Sequence, residues 1–211
     1  MDEQGRMVPI LVAPERLSTL FFGGGRVAMR KAEHLRGCGI TVVAESAVPE
    51  LRSLASAVIE RSVDDEALSL IDGHDVVVAA TDDESLNRAI VDKALEKGKL
   101  VNSVHGGGNF IIPSTRRRGA FVLCASTEGR APVFPPFLME RSDELFDPAY
   151  DSMAELLSEL RPIARKKVPG QRERAELLRA VMRDEGIWSL LRSKRDDLAR
   201  ERAAAMMEAY R

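Results

Sequence analysis

The apolar run Leu17 to Phe22 stops at Gly23-Gly24-Gly25, and from Val27 to Leu35 the apolar residues follow helical spacing until Gly37 and Gly39 end it. A strand that turns through glycines straight into a helix leaves few folds open. Residues Gly23 to Ala28, with Gly24, Arg26 and Val27 in the same turn, read G-x-G-x-x-A. Gly23 allows the tight turn, Gly25 lets a pyrophosphate approach the backbone, and Ala28 lets helix and strand pack closely. The first amides of the helix then face the phosphates. Glu45 follows the next strand, 20 residues past Gly25. A carboxylate there hydrogen-bonds the ribose of NAD and repels a 2′-phosphate. The expected cofactor is NAD; a glycine turn in a fold that holds no dinucleotide is the bland alternative.

The remaining pattern agrees with that context. Val8-Pro9-Ile10-Leu11-Val12 reads as a short extended edge segment, Ile40 to Ala44 as the second strand and Ala57-Val58-Ile59 as a weaker third. Asp75 to Ala80 is the clearest strand, an almost continuous β-branched run of the kind covered on both faces. Glu84 to Lys97 is a helix ended by Gly98, and Leu100 to Ser103 is the fifth strand. Strand–helix–strand repetition predicts an α/β fold, a Rossmann-type parallel sheet with helices on both sides. Phe110 to Pro113 and Ala120 to Cys124 read as two further strands around the polar Ser114 to Gly119. Beyond Pro132 the segments 133–146, 149–166, 171–184 and 187–209 read as helices, broken at Asp147-Pro148, Pro169-Gly170 and Gly186.

Composition narrows the class. The chain has 211 residues, 45% hydrophobic and 30% charged, enough to bury a core. With 5% aromatics and a single Trp it is a poor stacking surface, so nucleic acid is not the expected partner. No apolar run approaches the roughly 18 residues of a membrane span. Met1 to Met7 carries two acids and an Arg with no secretory apolar region. Two cysteines are too few for a disulfide scaffold, and a reducing cytoplasm is the expected setting. Three scattered His and these two Cys show no metal-ligand spacing. Residues 1–160 hold 17 basic and 25 acidic side chains, and residues 161–211 hold 14 and 8. The basic helical end, on charge alone, suits nucleic acid, an anionic small molecule, the body of a second subunit or a solvated surface.

Three strand ends carry candidate chemistry. Ala79 to Asp83 ends the fourth strand, where Thr81 and Asp82 can line the cofactor site or an Asp can cap the next helix. Asn102 to Asn109 ends the fifth, and His105 stands before three glycines. An imidazole on this sheet edge is a candidate proton acceptor or metal ligand, and a plain surface turn is the alternative. His34 and His74 read as structural or exposed. Ser126 to Pro132 joins a strand to a helix, so Ser126 and Thr127 can hold an anion there or simply cap.

Taken together these residues resemble the precorrin-2 dehydrogenase family, which also forms the N-terminal module of multifunctional siroheme synthases. Phe22 to Ala32 resembles its V-G-G-G-x-V-A-x-R-K-A, and Ala79 to Asp83 with Asn87 resembles A-A-T-D-D-x-x-x-N. Asn102 with Phe110 to Ser114 resembles N-x-x-D…F-I-x-P-S, and Ser126 to Pro132 resembles S-S-x-G-x-S-P. The match runs in order from about residue 8 to residue 141, while the helical remainder matches in character. One departure stands out. Where the family usually has an aspartate implicated in dehydrogenation and, in bifunctional members, in metal insertion, this chain has His105.

The resemblance implies NAD-dependent dehydrogenation of precorrin-2 to sirohydrochlorin, with His105 catalytic and Gly23 to Ala28, Glu45, Thr81, Asp82 and Asn102 around the cofactor. It implies a homodimer built of an NAD-binding domain, 1–113, a short β-rich dimerisation segment, 114–148, and a helical C-terminal domain, 149–211. Precorrin-2 carries eight carboxylates, so basic side chains must meet it. Arg116, Arg117 and Arg118, with Ser126 and Thr127, and the basic C-terminal helices are the candidates, beside the reading that the basic groups are solvated surface. A chain of this length is expected to stand without the methyltransferase module of the fused enzymes. A second reading keeps the fold but makes it a non-catalytic tetrapyrrole-, metal- or nucleotide-binding regulatory protein, favoured by the change to His105.

Overall fold

Five apolar runs pair side by side as one parallel sheet in a computed structural model that describes residues 7–209. The charged N-terminal stretch before Met7 lies outside the described residues. The strands are β1 Ser18–Phe22, β2 Gly39–Ala44, β3 Ala57–Glu60, β4 Val76–Ala79 and β5 Leu100–Ser103, in the order β3-β2-β1-β4-β5. Between them run α1 Arg26–His34, α2 Pro49–Leu54, α3 Asp65–Ser69 and α4 Glu84–Glu96. The order reverses at β1, which pairs with β2 on one side and β4 on the other. That reversal opens a crevice at the strands' carboxyl ends, where ligands of such sheets sit.

Alternation along each strand builds two cores, one per face. Leu20, Phe22, Val43, Val77, Ala79 and Val101 pack against Ala67, Ile90, Val91 and Ala94 of α3 and α4. Phe21, Ile40, Val42, Ala44 and Val78 pack against Ala28, Ala32 and Leu51 of α1 and α2. Leu20, Phe21, Phe22 and Ile40 are at most 1% exposed. Burying a side chain of that size contributes roughly 1.5–3 kcal/mol. Asp64 and Asp83 cap α3 and α4, accepting from the Ala67 and Leu86 amides at 2.9 and 3.0 Å.

Contacts divide the chain into two compact units, the first ending at Ile112 and the second starting at Pro113. The second holds β6 Ser114–Arg118 and β7 Phe121–Ala125, an antiparallel pair. Five helices follow: α5 Phe134–Leu145, α6 Ala149–Lys167, α7 Gln171–Met182, α8 Glu185–Arg192 and α9 Asp196–Ala209. Met153, Leu156, Leu160, Leu177, Val181, Ile187, Leu191 and Met207 form the core of the last four.

Four expectations need correction. Val8 to Val12 is not a strand: Val8, Ile10 and Leu11 are 80%, 68% and 81% exposed, and the sheet ends at β3 and β5 without them. Phe110 to Pro113 is not a strand either. The hairpin begins at Ser114, so the arginines expected in its loop are strand residues, with Arg116 opposite Leu123 and Arg117 opposite Val122. The turn is Gly119-Ala120, and Gly119 supplies the positive φ of 50° that a two-residue connection needs. The break expected at Gly186 lies just before it, at Asp184, whose side chain caps α8 through the Ile187 amide at 2.8 Å. The helix expected over 187–209 is two helices, because Lys194 turns to φ 56° between α8 and α9.

Candidate active site

The glycine loop is clamped on two sides and open on the third. Gly23 takes φ 110°, its amide donates to the Val43 carbonyl at 3.0 Å, and a Cβ there would lie 2.2 Å from the Ala80 carbonyl oxygen. The Val48 amide donates to the Gly24 carbonyl at 2.9 Å, which draws the β2–α2 connection onto Gly24. Around Gly25 a Cβ would meet nothing within 4 Å among the described residues. Gly25 is also the N-cap of α1 and offers no side chain to its amides. Arg26 and Val27 are exposed, and Ala28 is fully buried against the sheet. Space beside Gly25, in front of an uncapped helix start at the sheet's reversal, fits the pyrophosphate of a dinucleotide. Glu45 is exposed one residue beyond β2, next to the Ser46 to Val48 segment that touches Gly24.

At the end of β4 the polar groups face one another. Thr81 donates its backbone N–H to Asn87 Oδ1 at 3.1 Å, and its hydroxyl lies 2.9 Å from the same oxygen. Asn87 Nδ2 donates back to the Thr81 carbonyl at 2.8 Å and lies 2.9 Å from His105 Nδ1. Asn87 is fully buried, Thr81 half-buried and Asp82 exposed. Thr81 is therefore tied to α4 through Asn87, while Asp82 remains at the surface. In the sequence Asn87 stands out only as part of a motif; its position four residues past the capping Asp83, in the first turns of α4, is the signal of this contact.

The end of β5 is held as firmly. Asn102, 8% exposed, donates through Nδ2 to the Phe110 carbonyl at 2.9 Å and accepts from Lys31 Nζ at 2.5 Å. Both ends of its amide are used inward, joining α1, β5 and the chain that returns through Phe110. Burial, with the Arg30 charge adding to it, holds the half-buried Lys31 ammonium below its ordinary value. In the sequence nothing marks Lys31 beyond its place in the Arg-Lys-Ala tail. The glycine run after His105 is built rather than slack: Gly106 and Gly107 take φ 86° and 81°, and a Cβ on Gly108 would lie 2.3 Å from the Val101 carbonyl. His105 is exposed and, with Ser103, Gly106, Gly107 and Arg88, lines a cavity of about 330 Å³.

Ser126, Thr127, Arg116 and Arg117 belong to the second unit. Ser126 Oγ accepts from the Glu128 amide and Thr127 Oγ1 from the Ala131 amide, each at 2.9 Å. The hydroxyls close this turn, in which Glu128 takes φ 52°. The following helix, α5, starts only at Phe134 with proline in its first turn. Arg116 is half-buried on the hairpin and Arg117 exposed.

Residues 10–114 match a family model described as "Putative NAD(P)-binding". A solved structure of the precorrin-2 dehydrogenase SirC superposes with a TM-score of 0.72 over 97% of this chain and 100% of that one, at 24% identity, which speaks for the fold. A siroheme synthase of Chromobacterium violaceum is 32% identical over 166 residues, 76% of this chain and 35% of that protein. This chain thus spans about a third of that longer relative. The precorrin-2 dehydrogenase of Methanosarcina barkeri is 32% identical over 219 residues, 100% of this chain and 97% of the relative. With likeness of that degree along the whole length, the chain belongs to the precorrin-2 dehydrogenase family.

Proposed function

We propose that the protein oxidises precorrin-2 to sirohydrochlorin with NAD⁺. The observation that carries this reading is the open, uncapped cradle at Gly25, at the point where strand order reverses, in a chain of this family. Bound NAD⁺ supplies the acceptor for the hydride that leaves the macrocycle, and the second hydrogen is released as a proton. The amides after Gly25 hold the pyrophosphate, and Glu45 reads the ribose. His105 stands at the end of β5 on the same sheet edge and meets the substrate.

The working form is a homodimer. Val133, Phe134, Phe137 and Leu138 are 84%, 49%, 51% and 40% exposed, more apolar surface than one short stretch leaves to water without use. They adjoin the hairpin within the segment 114–148, which is the dimerisation segment of this reading. Among the described residues no helix is long and apolar enough to cross a membrane. The setting in this reading is the reducing cytoplasm, as two lone cysteines suit.

Anaerobic incubation with precorrin-2 and NAD⁺ tests the function. NADH and sirohydrochlorin are expected to appear together in equal amounts. NAD⁺ binding with no turnover of precorrin-2 would overturn the enzyme reading in favour of a binding protein on the same fold.

A further inference from the structure

We infer that Asn87 is a positioning residue that fixes His105 as a hydrogen-bond donor, so that the imidazole orients an anionic oxygen of the substrate instead of accepting a proton. The inference rests on the proposed place of His105 beside precorrin-2.

The chain of contacts starts at groups whose chemistry cannot be exchanged. The Thr81 backbone offers one N–H and one carbonyl, and Asn87 meets the first with Oδ1 at 3.1 Å and the second with Nδ2 at 2.8 Å. Turning the amide over would set N–H₂ against N–H and oxygen against oxygen. The backbone therefore decides which end of Asn87 is nitrogen, a choice that side-chain shape alone leaves open. Nδ2 has two hydrogens. One goes to Thr81, and the second meets His105 Nδ1 at 2.9 Å. Nδ1 must accept it, so the neutral ring carries its hydrogen on Nε2.

That tautomer decides what the ring can do. Its lone pair is spent on a fully buried amide, and the other nitrogen of this exposed residue already carries the hydrogen. A proton on Nδ1 would set two donors against each other, which buried polar groups avoid. A neutral imidazole held this way serves as a donor, as in isomerases that polarise a carbonyl with a neutral histidine. The acceptor is a carboxylate of the polycarboxylate macrocycle, and the proton lost on oxidation passes to water.

The test uses the full chain with NAD⁺ bound and ¹⁵N-labelled histidine. Long-range ¹H–¹⁵N spectra, assigned with His105→Gln, should show His105 as the Nε2–H tautomer. Asn87→Asp should change that pattern, because a carboxylate calls for a proton on Nδ1. Asn87→Ala should lower kcat/KM for precorrin-2 roughly ten- to a hundredfold, the size of one charge-assisted hydrogen bond, mainly through KM and with NAD⁺ affinity within about twofold. His105→Gln keeps a donor and has no base. It should therefore retain at least about ten times the activity of His105→Ala, whereas loss of a general base costs both variants roughly 10²–10⁴. An Nδ1–H ring in the wild type overturns the inference without any variant. Equal collapse of His105→Gln and His105→Ala overturns it too, while leaving the proposed reaction standing. Should the wild type bind NAD⁺ without turnover, the proposed function falls, and the ring's tautomer still decides what Asn87 does.

Discussion

Gly24 abuts the carbonyl oxygen of Ser46: a Cβ added at Gly24 would lie 1.9 Å from it and 2.7 Å from the Ala47 Cα. One residue on, a Cβ at Gly25 would meet nothing within 4 Å. Adjacent glycines thus serve different ends, the first packing and the second access. Gly24→Ala should lower unfolding free energy by about 1–3 kcal/mol, the usual cost of forcing backbone apart. Gly25→Val should cost about 1 kcal/mol or less, since Gly25 caps with no side chain to lose. Yet it should abolish NAD⁺ binding, because a branched side chain fills the space the pyrophosphate needs. Urea unfolding and calorimetric titration of both variants separate the two effects. Wild-type NAD⁺ affinity in Gly25→Val would remove this loop from the cofactor site.

Glu45 sets the second prediction. It is exposed just past β2, beside the segment that clamps Gly24. If its carboxylate accepts from the ribose hydroxyls, Glu45→Ala should weaken NAD⁺ roughly tenfold, the value of a hydrogen bond to a charged group. NADP⁺, whose 2′-phosphate the carboxylate repels, should weaken less or bind better. Titration of both nucleotides checks this, and unchanged NAD⁺ affinity would take Glu45 out of the site.

Much of the first unit was legible because its signals are local. Val76 to Ala79 is fully buried and reads as an apolar run, and Gly23 to Ala28 carries its own spacing. What escaped depends on partners distant in sequence. Ser114 to Arg118 is too polar to read as a strand, and only pairing across the Gly119 turn makes it one. Val8 to Val12 has the apolar content of a strand and no neighbour in the sheet. His105 was visible as a titratable group at a strand end. Its contact with Asn87, on another element 18 residues earlier in the chain, follows from no spacing rule. Lys31 and Asn102, 71 residues apart, are hidden for the same reason.

The third prediction concerns assembly. Phe134 and Phe137 stack at a centroid distance of 6.1 Å on the exposed start of α5. Sedimentation at micromolar concentration should show a dimer, and Phe134→Asp with Phe137→Asp should shift it to monomer while leaving the helical content unchanged. A monomeric wild type would rule decisively against the dimer.

The last prediction is a pH dependence located in the second unit. Arg202 of α9 donates to both oxygens of Asp184, from Nε at 2.7 Å and from Nη2 at 2.9 Å, and the same carboxylate caps α8 through Ile187. The Arg202 guanidinium first, and the Ile187 amide with it, holds the Asp184 carboxyl below the ordinary carboxylate range, against the opposing effect of burial. The native state therefore binds fewer protons here than the unfolded chain. The stabilisation is complete above the unfolded value, near pH 4, and is lost as pH falls through the lower folded value. Asp184→Ala should cost about 1–2 kcal/mol at pH 7, within the range for a lost N-cap. The gap between wild type and variant should narrow as pH falls from about 5 through the unfolded value and on through the lower folded one. Trp188, the only tryptophan of the chain and part of α8, reports this unfolding by fluorescence in urea. A gap that stays constant over that range would mean that the charge of Asp184 contributes nothing and that its cap alone supports the helix.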